Sequence, residues 1–105
     1  MWVSSIRMAY KGRNTAASSR LLGTVAVRDA NQEPVAGAHV VVEFEYPNGW
    51  VWLTSAETDG KGTASFRILR PDSGTYELCV TTASKAGWEY IPALNHETCE
   101  TLRVP

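Results

Sequence analysis

Residues 38–46 read AHVVVEFEY, the cleanest alternation in the chain, with Val41 alone breaking the polar side. Ala38, Val40, Val42, Phe44 and Tyr46 fall on one side, while His39, Glu43 and Glu45 fall on the other. Side chains of an extended chain point alternately to opposite faces, so this segment buries one coherent apolar face only as a β-strand. Wound as a helix, it would spread its glutamates among its valines.

The rest of the chain has the same character. Helical periodicity is absent, and short alternating or β-branched runs are separated by clusters of Gly, Pro, Asn and Asp. WVSSIRMAY (2–10) places Ile6, Met8 and Tyr10 on one side, and a polar loop, KGRNTAASSR, follows. LLGTVAVRD turns Val25 and Val27 inward. Pro34, in ANQEPVAG, stops the ladder because it has no N–H to donate. After AHVVVEFEY, the Asn-Gly of PNG (47–49) predicts a tight turn, since both residues tolerate positive φ. WVWLTSAE then returns antiparallel. TASFRIL points Ala64, Phe66 and Ile68 inward, and TYELCVTTA does the same with Tyr76, Leu78 and Val80. Residues 84–97 form the longest irregular connection, and TCETLRV closes the chain with Leu102 and Val104 facing in. Seven strands with turns about every ten residues predict an all-β, two-sheet antiparallel β-sandwich of immunoglobulin-like type. The 105 residues make one such domain, 1–105, enough to bury roughly two thirds of the unfolded surface.

A formal net charge of −1 gives no basic excess, so no nucleic-acid partner is expected. No apolar run approaches the ~20 residues of a helical membrane span, and no membrane insertion is expected. MWVSSIRMAYKGR does not read as a signal peptide, so any export signal is expected elsewhere in a parent protein.

ETDGKGTASF (57–66) raises the question of an ion or phosphate loop. Calcium loops need oxygen ligands at alternate positions, but here Asp59 is the loop's one carboxylate and Lys61 opposes a cation. The G-x-x-x-x-G-K-[ST] spacing of a phosphate loop is also missing. The segment reads as a hairpin turn, with Asp59 bonding the backbone ahead and the glycines taking positive φ. No metal and no cofactor are expected.

Cys79 has the parity opposite to Tyr76, Leu78 and Val80, and Cys99 the parity opposite to Leu102 and Val104. Both thiols therefore point outward. If their strands pair, the two can face each other and form a disulfide worth about 3 kcal/mol on the chain-entropy model. The alternative is two free thiols. A bridge implies an oxidising compartment.

His39 lies on a polar strand face and His96 in NHETC, and neither accompanies a nucleophile motif. His96, Glu97 and Cys99 lack the paired spacing of a four-ligand zinc site. No enzyme activity is expected. The aromatics are the functional lead. In WVWLT, either Trp50 and Trp52 face the core or Val51 and Leu53 do. Glu57 shares the parity of Val51 and Leu53, which favours inward Trp rings. Two such rings would need unusual room beside Phe44 and Tyr46, which favours at least one exposed Trp. Trp50, Trp52, Trp88 and Tyr90 are the candidate binding surface, weighed against the alternative that these rings fill or cap the core.

The run VAVRDANQEPVAGAHVVVEF … TDGKGTASFRILRPDSGTYELCVT resembles bacterial extracellular immunoglobulin-like domains. Their pattern is V-x-D-x-x-G-x-P-V-x-G-A-x-V, then T-D-x-x-G-x-x-x-F, then G-x-Y-x-x-x-V. Collagen-adhesin B-type repeats, transthyretin-like regulatory domains and bacterial big Ig-like domains share related patterns. The match covers about residues 23–105, and Gln32-Glu33 stands where an Asn-Gly-like turn is usual. GWEYIPALNHETC is similar to the tail of modules appended to secreted proteases and other exoproteins. The resemblance implies a non-catalytic spacer, stabilising or adhesion module, extracellular or at the cell surface. Its expected partners are the neighbouring domains of the parent protein. The alternative is a carbohydrate- or protein-binding module using the Trp and Tyr rings. The isolated domain is expected to be a monomer.

Some collagen-adhesin B-type domains form an isopeptide from a Lys on the strand preceding the P-V-x-G-A turn. TVAVRD carries Arg28 there and no Lys, so no isopeptide is expected. The intact mass should equal that of the sequence less two hydrogens for the disulfide. A further loss of one ammonia or one water would contradict this reading.

Overall fold

A computed structural model describes residues 1–12 and 19–105. The strands are β1 (Trp2–Lys11), β2 (Arg20–Arg28), β3 (His39–Glu45), β4 (Val51–Glu57), β5 (Thr63–Leu69), β6 (Gly74–Ser84) and β7 (Cys99–Val104). Most of the polar loop read between the first two strands lies outside the described residues. The strands form two antiparallel sheets, β1-β2-β5 and β4-β3-β6-β7. The chain crosses between sheets after β2, β4 and β5, giving the expected immunoglobulin-like sandwich.

The alternation at 38–46 carries the fold. Ala38, Val40, Val42 and Phe44 are fully buried, while His39 and Glu45 are exposed. β3 pairs on both sides, so its inner row becomes the middle of the core, against Tyr76 and Leu78 of β6. Phe44 reaches the opposite sheet and meets Phe66 edge-on, with ring centroids 6.3 Å apart. Gly23 of β2 makes room for the facing sheet, since a Cβ there would stand 2.7 Å from a Leu78 methyl carbon. Tyr76 is fully buried near the start of β6, and its hydroxyl bonds the backbone of Asp72. This ties the β5–β6 crossing to the core, in the manner of the tyrosine corner of immunoglobulin-like sandwiches.

Two bulges depart from simple alternation. One in β1, between Val3 and Ser5, lets Val3 and Ile6 both face inward. The other lies opposite Val41/Val42 and takes Thr81 out of the ladder, so that Ala83 is buried in place of Thr82. The long connection after β6 is not free-standing either. Its 3₁₀ turn, Pro92–Leu94, sits against the start of β1. The Val3 N–H donates to Asn95 Oδ1, and His96 N–H donates to the Val3 carbonyl.

The Asp59 segment is a turn with a twin. Asp59 Oδ1 accepts from the N–H groups of Lys61 (2.9 Å) and Thr63 (3.1 Å), and Gly62 has φ +73°. Asp29 Oδ1 accepts from Asn31 (2.9 Å) and Glu33 (3.0 Å), and Gln32 has φ +64°. The two turns interlock, because Val27 N–H donates to the Gly62 carbonyl and Val35 N–H to the Val27 carbonyl. These backbone bonds lower the Asp59 pKa below its ordinary 3.8. A group lowered on folding adds stability above its unfolded pKa and loses it as pH falls through the folded value, so this turn loosens only in acid.

The twin turns make opposite demands on their αL residues. A Cβ at Gly62 would lie 2.8 Å from the Val27 carbonyl oxygen, whereas one at Gly60 meets open space. Gly62→Ala should therefore destabilise by more than 1 kcal/mol, on the order of the αL cost plus a backbone clash, and Gly60→Ala should be near neutral. Gln32→Gly should stabilise by about 0.5–1 kcal/mol by relieving the left-handed backbone. Urea unfolding of the three variants checks these signs.

Candidate binding surface

The four aromatic candidates do not share one surface. Trp50 stands at the Glu45 end of β3. Trp88 follows Ser84, which pairs with His39 at the other end. Six residues of strand separate the two ends by about 20 Å. Trp88 is exposed, with Lys85 Nζ 5.0 Å from its ring centroid, and that ammonium also donates to the Ala36 carbonyl. Tyr90 turns toward the core, where its hydroxyl accepts from Asn95 Nδ2 at 2.7 Å. Trp88 and Tyr90 thus brace the long connection.

Trp50 and Trp52 differ although they have the same parity. Trp52 lies within β4 and turns in, its ring stacked on Phe44 at 5.8 Å. Trp50 precedes the ladder. The Tyr46–Trp50 loop closes through Tyr46 N–H to the Trp50 carbonyl and Gly49 N–H to the Tyr46 carbonyl, with Gly49 at φ +85°. Freed from the pleat, Trp50 is 59% exposed and meets Tyr46 edge-on at 5.0 Å. Val51 and Leu53 face solvent, as does Glu57.

The two Trp rings border a shallow groove of about 340 Å³ where β4 runs beside β5. Tyr46, Arg67, Ile68 and Leu69 complete its lining. Arg67 and Leu69 escaped the sequence reading because β4 and β5 belong to different sheets, so their proximity has no local signature. Tyr46 is partly desolvated there, which raises its hydroxyl pKa above the ordinary 10.0 and keeps it a neutral hydrogen-bonding group.

Cys79 and Cys99 form a disulfide across β6 and β7, with Cα atoms 4.1 Å apart. The neighbouring pair, Val80 and Thr98, is joined by Val80 N–H to the Thr98 carbonyl. The cysteines therefore occupy a non-hydrogen-bonded pair, where side chains of antiparallel strands lie closest. The bridge lies on the outer face, as parity predicts. Glu77 is close to both sulfurs, but these are bonded to each other and not available as thiolate ligands.

One row on the outer face contains catalytic residue types. His39 of β3 has Glu57 of β4 on one side and Ser84 of β6 on the other. All three are exposed, and no hydrogen bond joins them. A Ser–His–acid relay works through such bonds and needs a pocket with oxyanion donors. His96 lies in the long connection.

No protein-family model matches the chain, and no curated protein or solved structure gives a significant match.

The two Trp positions predict a divided mutational response. Trp52→Ala should cost about 3 kcal/mol, the loss of a ring stacked on the core. Trp50→Ala should cost well under 1 kcal/mol. Chemical denaturation of each variant decides, and equal losses would contradict the assignment.

Proposed function

We propose that this chain is a non-catalytic accessory module, serving as spacer, stabiliser or adhesion unit in a larger secreted or cell-surface bacterial protein. The observation that carries the reading is the Cys79–Cys99 bridge on the outer face of a sandwich whose two sheets enclose a single core. An exposed bridge is maintained outside the reducing cytosol. It fastens the start of β7, at Cys99, to the middle of β6, at Cys79. A covalent link between neighbouring strands resists the separation of β7 from the sheet. The resemblance of residues 23–105 to bacterial extracellular immunoglobulin-like domains supports the same role. The unbonded row of Ser84, His39 and Glu57 favours it over an enzyme.

A second reading, a module that binds carbohydrate or protein, is favoured by the exposure of Trp50 beside the β4–β5 groove. The two roles are compatible, since adhesion modules bind through such surfaces.

The compartment provides the test. In intact producing cells, alkylation before lysis should leave Cys79 and Cys99 unlabelled, and added protease should reach the module at the surface or in the medium. Two alkylated thiols on a protease-protected protein would overturn the proposal.

A further inference from the structure

Charge is sorted by sheet. β1, β2 and β5 carry Arg7, Lys11, Arg20, Arg28 and Arg67 and no acid. β3, β4, β6 and β7 carry Glu43, Glu45, Glu57, Glu77 and Glu100, with Arg103 as the opposing charge. The near-zero net charge conceals a sandwich with one basic face and one acidic face.

The basic face is not neutralised within the fold. Leu21 and Phe66 point into the core, so Arg20 and Arg67 point away from it. Lys11 stands directly opposite Arg20, and Arg67 lies diagonally across β5 from Arg20. Like charges directly opposite each other destabilise a sheet. Arg28 is already committed, donating to the Gln32 carbonyl at 2.7 Å. Arg7, Lys11, Arg20 and Arg67 form no ion pair among the described residues. Their arrangement opposes folding and favours an anion from outside.

Arg67 links this face to the aromatic groove, which it lines together with Trp50 and Trp52. Leu69, 60% exposed, continues the contact beside Arg20. An exposed indole stacks on the C–H face of a sugar ring, and a guanidinium takes a carboxylate or sulfate through two parallel hydrogen bonds. Placed side by side, they match a ligand built of sugar rings that carry anions. On the extracellular reading above, the disulfide-bonded module meets anionic polysaccharides as extended polymers.

We infer that the outer face of the three-stranded sheet, continuous with the Trp50 groove, binds an anionic polysaccharide carrying uronate or sulfate groups. This rests on the extracellular reading above and supplies the ligand class for its binding alternative. A sugar ring stacks on Trp50, and the adjoining anions run over Arg67, Arg20 and Lys11 toward Arg7. The acidic sheet repels the same polymer, so the module presents one face to it.

Calorimetric titration of the intact, disulfide-bonded protein with alginate (a polyuronate) and with heparin (a polysulfate) tests the inference and separates the two anion sources. Binding to one or both is expected, weakening as salt screens the charges. The triple variant Arg7→Gln, Arg20→Gln, Arg67→Gln should lose about a hundredfold in affinity at low salt. Trp50→Ala should lose about tenfold with the salt dependence unchanged. Arg103→Gln, on the other sheet, should bind as the parent does. Thermal melting is expected to be unchanged or raised in the triple variant, which relieves like-charge repulsion, and close to the parent's in the others, so a loss of binding is not a loss of fold. Undiminished binding by the triple variant would overturn the inference. So would tighter binding to a single-stranded oligonucleotide than to either polysaccharide, which would assign the face to nucleic acid. So would salt-dependent self-association without polysaccharide binding, which would assign it to the acidic face of a second copy. An exported, disulfide-bonded protein that binds neither polymer would sink this inference alone, whereas reduced cytosolic protein would sink the module reading beneath it.

Discussion

The inner row of β3 holds the two sheets together. Val40, Val42 and Phe44 are flanked by paired strands and covered by the opposite sheet, so they lose all contact with water. Burying such a row stabilises by roughly 1.5–3 kcal/mol per large side chain, the dominant favourable term in a domain of this size. Phe44 is the pivot of the row. It stacks on Trp52 within its own sheet and meets Phe66 edge-on across the core. The close approach of the sheets at Gly23 depends on that packing, as does the choice of Trp52 over Leu53 as the inward-facing residue.

Around this core, the loops are held by backbone bonds and buried contacts. The twin turns at Asp29 and Asp59 interlock through Val27, Gly62 and Val35, closing one end of the sandwich. At the same end, the long connection after β6 pairs with the start of β1, so the chain's first strand is fixed by residues more than eighty positions away. The disulfide joins neighbouring strands that already pair, so its contribution falls mainly on the unfolded chain and on the resistance of β7 to peeling. These restraints leave both outer faces free to differ in charge without disturbing the core.

Much of the fold was legible because strand patterning is local. Alternation in AHVVVEFEY, TASFRIL and TYELCVTT predicted which side chains face inward, and the structure follows it at nearly every position. The failures have physical causes. Strict alternation in β1 and at the end of β6 missed the bulges, since one extra residue shifts the parity beyond it without marking the composition. Trp50 and Trp52 read as equivalent because they share parity. The hairpin loop ends between them, so one belongs to the ladder and the other does not. Trp88 and Tyr90 resembled a continuation of the same aromatic surface. Strand pairing carries them to the opposite end.

The sequence by itself determined the class of fold, the seven strands, the inward rows, the turn at Asp59 and the outward parity of both cysteines. These follow from the two-residue period of an extended chain and from the backbone preferences of Gly, Asn, Asp and Pro, each of which acts over a few residues. The tertiary structure alone decided that Arg67 and Leu69 adjoin Trp50, that Ser84, His39 and Glu57 share a row, and that basic strands collect in one sheet and acidic strands in the other. Those juxtapositions arise when strands distant in sequence become neighbours, and the pairing order that brings them together is set by the burial of the whole core.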